Sequence, residues 1–291
     1  WDGPQMASWF ERTFFEGIKA ADRRSKFIYR AALSGDHQPH RKAIDNSGIG
    51  TPENPIIVEL KFNWSHGHSS TTLVKAHGSG TGKQYWENPP PSRHKMAWMI
   101  RNEDFFRLRW GEPDFIRDHI RINGQDFVGG YFIGSECYIP AKDIFHKPDH
   151  PHVNWKYAFE RQWLYYQQWG RLLYDPSTPD AVFANAFDQR FAGKVGTRMV
   201  DAYKLSTRTT QRIAQAFNHT WDHSFYTEGL VGNKRDFITV EELINAKPIE
   251  PTFVSIKDYG DGSKTFGSKV TPLQLAAALE KDNQQALNIV K

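Results

Sequence analysis

The sequence predicts an α/β protein, a run of about four βα units from a (β/α)8 TIM barrel followed by a mainly α-helical C-terminal domain. Three observations carry this expectation. Four short apolar runs, at 26–33, 56–63, 96–102 and 128–135, alternate with helical or loop patterns, as successive βα units do. Beyond residue 153 the periodicity is helical only. Two of the runs also end on carboxylates, Asn102-Glu103 and Ser135-Glu136, as strands do at the functional rim of such a barrel. A closed barrel needs eight strands, so the first half is expected to lie outside this chain, on a missing N-terminal segment or a companion chain. Trp1, which is not an initiator methionine, fits a processed or partial chain. An open, doubly wound sheet is the alternative. The expected domains are 1–152, the later half of the barrel, and 153–291, the helical domain.

In chain order, residues 7–24 place Phe10, Phe14 and Ile18 at helical spacing, with a basic end that complements the helix dipole. The strand at 26–33 is apolar apart from Arg30, and the polar stretch 34–54 reads as a long loop. The strand at 56–63 continues into Trp64-Ser65-His66-Gly67-His68. Residues 78–92 read as a second loop, because Pro89 to Pro91 forbid regular structure. After the strand at 96–102, Pro113 in a first turn and Gly124 past the end frame a helix at 112–122. The strand at 128–135 precedes a Pro- and His-rich loop to 152. Helices follow at 155–174, from Asp180 to Phe191 with Gly193 as its stop, at 197–219, and from Thr271-Pro272 onward.

Composition narrows the function classes. The 291 residues are 39% hydrophobic and 24% charged, which describes a globular chain with a full-sized core. The net charge of +4 comes from scattered basic residues with no long run, so nucleic acid is not the expected partner. The single cysteine, Cys137, rules out an internal disulfide and a Cys-based zinc cluster. No apolar run approaches the ~18 residues of a membrane span. The 10 Trp, 11 Tyr and 20 Phe serve mostly as core, but Trp and Tyr also suit stacking on the apolar faces of sugar rings.

In a barrel the reacting groups stand at the C-terminal strand ends. Those ends are Arg30; Lys61, Asn63, Trp64 and His66; Asn102 and Glu103; and Glu136. Paired carboxylates from neighbouring strands are what glycoside hydrolysis needs, one to protonate the leaving oxygen and one to activate water or attack carbon. Glu103 is the candidate base or nucleophile, and Glu136 a candidate acid. The structural alternatives are a cap or ion pair of Glu103 with Arg101 or Arg107, and of Glu136 with Lys142 or Arg30. Arg107 and Arg109 suit bidentate binding of a substrate carboxylate, with pairing to Glu112 and Asp114 as the bland alternative. Trp64, Trp86 and Trp110 are candidate stacking platforms, with Trp64 and Trp110 expected as the walls of the site. The pairs His66/His68 and His150/His152 lack a third ligand at close spacing, so no metal and no cofactor is expected. Gly78 to Lys83 lacks the phosphate-loop pattern and no helix is expected after it, and Asp222-His223-Ser224 are too close in sequence to converge as a triad.

One stretch carries a family resemblance. Trp169-Gly170-Arg171-Leu172-Leu173-Tyr174-Asp175-Pro176, after a long aromatic helix, resembles the Phe-Gly-Arg-Leu-Ala-Trp-(Asn/Asp)-Pro motif of the α-glucuronidases of glycoside hydrolase family 67. Ile56-Ile57-Val58-Glu59-Leu60-Lys61 is similar to that family's Val-Ile-Val-Gln-Val-Lys strand, and Ile100-Arg101-Asn102-Glu103-Asp104 to its Ile-Thr-Gln-Glu-Tyr. The resemblance implies Glu103 as a catalytic base. It also implies a general acid in a Ser-Glu-Gly-Gln-Pro-Gly-Pro context, of which Trp1-Asp2-Gly3-Pro4 is a reduced version with Asp2 as substitute. The family's second base is an aspartate in Gly-Pro-Ile-Asp-Phe; this chain has Asn63-Trp64-Ser65-His66 and no aspartate there. The expected activity is hydrolysis of a uronic-acid-containing polysaccharide or oligosaccharide, in a secreted or periplasmic setting. The alternatives are a non-catalytic carbohydrate-binding protein, or a polysaccharide lyase using His66 or Tyr131 as base.

Overall fold

The computed structural model describes residues 3–21, 26–31, 36–63, 68, 70–74, 76, 83–87, 90–100, 110–133, 158–217, 239–262 and 265–291. Its strands are β1 (Ile28–Arg30), β2 (Ile56–Lys61), β3 (His94–Ile100) and β4 (Val128–Ile133). Its helices are α1 (Gly3–Phe10), a π-helical turn (Glu11–Phe15), α2 (Glu16–Ala20), α3 (Gln38–Asn46), α4 (Lys83–Trp86), α5 (Pro113–Asn123), α6 (Ala158–Arg161), α7 (Trp163–Tyr174), α8 (Asp180–Phe191), α9 (Gly196–Ala216), α10 (Val240–Asn245), α11 (Ile256–Gly260) and α12 (Pro272–Val290). The chain divides into two compact units, one of Trp1–Gly67, Leu73–Arg101 and Ile122–Ile133, the other of His68–Thr72, Asn102–Arg121 and Gly134–Lys291.

The first unit holds a four-stranded sheet in the order β1-β2-β3-β4, parallel throughout. The fold is therefore mixed α/β, with strands arranged as in part of an α/β barrel; closure into eight strands is not seen among the described residues. Side chains alternate across a strand, and the register Tyr29↔Val58↔Met96 and Leu60↔Trp98↔Tyr131 puts these residues on one face. Helical residues cover it. Phe10 lies edge-on to Tyr29 at 5.1 Å, Tyr29 is 6.3 Å from Trp86, and Trp86 meets His94 edge-on at 5.5 Å.

Three sequence expectations need correction here. The stretch 34–54 is not one loop: Pro39 sits in the first turn of α3, which buries His40, Arg41, Ala43 and Ile44. Its polar sequence hid a helix whose buried face is largely polar. The first helix begins at Gly3 rather than residue 7. Its π-helical turn buries Phe15, which is 5.5 Å edge-on to Phe27, where straight helical spacing favours Phe14. A helical turn, α4, follows Lys83 within the second expected loop. At four residues it leaves the phosphate reading no stronger.

The second unit is helical. Helix α7 buries Leu164, Tyr165, Gln168, Trp169 and Leu172, and the expected helix 155–174 is broken at Gln162 into α6 and α7. Helix α8 ends one residue before the expected glycine, at Ala192 in the left-handed region (φ 48°). Asp188 then accepts from the Val195 and Gly196 N–H groups at 2.8 and 2.7 Å, which starts α9. A Cβ on Gly196 would lie 1.9 Å from the Ala184 carbonyl oxygen, so only glycine allows α8 and α9 to come this close. Helix α12 opens on a Thr271–Gln274 capping box and packs along α9, where Arg212 bonds Asp282.

Burial of the α3–β3 histidines generates a prediction. His94 is fully enclosed, 3.6 Å from Asp45, and desolvation, reinforced by Arg41, lowers its pKa from 6.5 to about 4 despite Asp45 and the Trp86 carbonyl. Desolvation and His37 lower His40 as well. Between those values the unfolded chain binds more protons at His94, so its contribution to stability is full above pH 6.5 and falls as the pH drops toward about 4. In denaturant melts the stability difference between wild type and His94→Gln should shrink by on the order of 2–3 kcal/mol from about pH 7.5 to about 4.5.

Candidate active site

Parallel pairing brings the C-terminal ends of all four strands to one edge of the sheet. On the face opposite Tyr29 and Trp98, the register aligns Arg30, Glu59 and Ala97, then Lys61 and Met99. Glu59 and Lys61 are 8% and 2% exposed. Charged residues are seldom so enclosed without compensation, and part of it is visible: Arg30 Nε lies 3.7 Å from Glu59 Oε1. Glu59 is the group that the sequence reading missed. The signal was available, since Glu59 and Lys61 are two apart on a strand and must share a face.

Asn63 follows β2 with φ 46°, a conformation asparagine tolerates, and is buried. Its Oδ1 accepts the Val74 N–H at 2.8 Å, next to an antiparallel bridge from Phe62 to Ala76. That oxygen holds the chain's exit from β2, so the expected role of Asn63 as a substrate ligand is corrected to a structural one. Trp110 is corrected too. It is 2% exposed within the second unit, with His68, Tyr165, Phe115 and Trp169 at ring distances of 5.2, 5.6, 5.9 and 6.4 Å. No ring face is left for a sugar. His68, considered as half of a metal pair, shares a 2.9 Å hydrogen bond with the Tyr165 hydroxyl. Among the described residues no His, Cys, Asp and Glu cluster could hold a metal, and no helix is long and apolar enough to cross a membrane. Burial pushes the Tyr131 phenol above its usual range, which makes it a poor base for a lyase.

Asp2, Trp64, His66, Asn102, Glu103, Arg107, Arg109 and Glu136 lie outside the described residues. Immediately after 101–109 in sequence, however, the chain is firmly held. Gly111 N–H donates to Thr207 Oγ1 at 2.8 Å, and Arg208 Nε donates to Glu112 Oε2 at 3.2 Å. A Cβ on Gly111 would lie 2.7 Å from Leu164 Cδ2. Asp114 pairs with Arg117 and Lys204. Glu112 is buried, and desolvation outweighs Arg208 and Lys204 to raise its pKa from 4.5 to about 7.

No protein-family model matches the chain, and no curated protein matches it. Among solved structures it is similar to a GH138 enzyme targeting pectin rhamnogalacturonan II, with a TM-score of 0.67 and 15% sequence identity over 98% of this chain and 34% of that one. The chain thus spans about a third of that structure's length, and at this identity the likeness establishes a shared fold.

Two predictions follow from the Trp110–Glu112 anchor. Trp110→Ala should destabilise the protein by about 3–5 kcal/mol, read from denaturant melts, because it empties an enclosed aromatic site. A carboxyl whose pKa is raised on folding contributes stability below its unfolded value of 4.5 that is lost as the pH rises through about 7. Glu112→Gln fixes the neutral form. It should raise stability by on the order of 2 kcal/mol at about pH 8 and change it little at about pH 4.

Proposed function

We propose that this chain is part of a glycoside hydrolase acting on a uronic-acid-containing polysaccharide, with an α-glucuronidase-like site. The observation that carries the reading is the charged strand face at the C-terminal end of a parallel sheet, where Glu59 and Lys61 are enclosed and the exposed Arg30 lies 3.7 Å from Glu59. The fold shared with a glycoside hydrolase of a pectic polysaccharide supports it. In this reading Glu103, three residues past β3 in sequence, is the base or nucleophile. Glu136 or Asp2 supplies the proton to the leaving oxygen. Arg30 and Lys61, with Arg107 and Arg109, provide positive charge for a sugar carboxylate, Trp64 is a stacking wall, and Asn102 and His66 bind hydroxyl groups. A further βα segment, on the same polypeptide or a companion chain, completes the barrel. Residues 1–152 form its later half, and 153–291 the helical domain.

A second reading, carbohydrate binding without hydrolysis, is favoured by the sequence Asn63-Trp64-Ser65-His66, which lacks the second base of the family it resembles. One experiment separates the two. Wild-type protein incubated with rhamnogalacturonan II and with glucuronoxylan oligosaccharides should release reducing ends. Glu103→Gln should lower the rate by on the order of 10³-fold with an unchanged melting temperature. Release undiminished in Glu103→Gln removes that residue from the mechanism. Binding without release by the wild type supports the second reading.

A further inference from the structure

At the other end of the sheet, before the first residues of β2, β3 and β4, the first unit contains a cleft of about 600 Å³. This lies within the ~300–1,000 Å³ typical of small-molecule sites. Its apolar wall consists of Pro52, Pro55, Pro90 and Pro91 with the half-buried ring of Phe127. Its polar groups are Asp126 and Ser92 at the mouth, the half-buried Lys95 and Glu87, and the buried His94.

The loops that form the cleft are tied to one another. Ile56 N–H donates to the Arg93 carbonyl at 3.0 Å, and Arg93 Nη1 returns to the Gly50 carbonyl at 3.1 Å. Thr51 N–H and the Asn54 carbonyl close the turn between them at 3.2 Å. On the third side Met96 N–H donates to the Phe127 carbonyl at 2.8 Å, and Val128 N–H to the Gln125 carbonyl at 2.8 Å. Proline fixes its own φ, so four prolines on loops already bonded together make a cleft that loses little entropy when filled. Stability alone calls for packed side chains at this end of a βα sheet; an open cleft does not serve it.

The chemistry of the lining selects among ligands. Two carboxylates against one lysine disfavour an anion. A proline-rich peptide needs a groove lined by several aromatic residues, and this lining has one. Flat, stiff hydrocarbon walls beside carboxylate acceptors suit a ring with an apolar C–H face and hydroxyl donors at its edge. We infer that this cleft is a second carbohydrate site, specific for a neutral sugar unit, which holds the polymer away from the reacting end of the strands. The inference rests on the polysaccharide reading for its biological sense, but its binding test is independent of hydrolysis.

The test is calorimetric titration of the Glu103→Gln protein with xylotriose, trigalacturonate and a decaproline peptide. Xylotriose should bind saturably, and both Phe127→Ala and the surface change Asp126→Asn should weaken it by about tenfold. No saturable xylotriose binding, unchanged binding in both variants, or a preference for trigalacturonate or decaproline overturns the inference. Loss of this binding alongside intact hydrolysis by the wild type defeats the second site alone. Binding without any hydrolysis by the wild type keeps the site and defeats the enzyme.

Discussion

The parallel register of β1 to β4 is the constraint on which the rest of the first unit depends. The pairing Tyr29↔Val58↔Met96 stacks aromatic and aliphatic side chains on one face, where Phe10, His40 and Trp86 cover them. Because side chains alternate every residue, a slip of one position in β2 would turn Glu59 and Lys61 into that aromatic layer and expel Val58 and Leu60 from it. The apolar face therefore fixes where the charges go. The same pairing sends every strand out at one edge, so the segments after Arg30, Lys61, Ile100 and Ile133 all start from a common rim.

A similar logic governs the return of the chain after β3. A segment is placed most firmly where the chain on both sides of it is fixed. One end of 101–109 is covalently continuous with Ile100, in an inner strand of the sheet. The other runs into Trp110, Gly111 and Glu112, which are fixed respectively by an aromatic cage, a close approach to Leu164 with a bond to Thr207, and an ion pair with Arg208. The raised pKa of Glu112 is the cost of this arrangement: the carboxylate is held where water cannot reach it well.

The parts of the fold that were legible in the sequence had local causes. Four apolar runs gave four strands in sequential order. Pro113, the Asp180 start and Thr271-Pro272 gave helix beginnings, because caps and proline act within one turn. Helix α3 was not legible. Its buried face is His40, Arg41, Ala43 and Ile44, and only tertiary partners such as the Tyr85 and Trp86 carbonyls for Arg41 and the Tyr29 hydroxyl for His40 make that burial tolerable. Trp110 was misplaced for the same reason. An indole that stacks on a sugar and one enclosed by Tyr165 and Trp169 look alike in sequence, and those two residues come more than fifty positions later. Of the candidate site, Arg30 and Lys61 fall on the face that the strand period assigns them. The carboxylates Glu103 and Glu136 rest on sequence position alone.

That strand face weighs on the functional question. A parallel sheet that serves only as scaffold is buried on both sides and fills with Val, Ile and Leu. Here one side keeps that rule, with Val58, Leu60, Met96 and Ile100, while the other sets the buried Glu59 and Lys61 and the exposed Arg30 among Ile57, Ala97 and Met99. Enclosing Glu59 and Lys61 costs several kcal/mol per charge before partners such as Arg30 offset it. Local rules are broken in this way where a site requires it. The asymmetry between the two faces leaves the charged side, near the sheet's C-terminal edge, as the part of the strand layer that apolar packing does not account for.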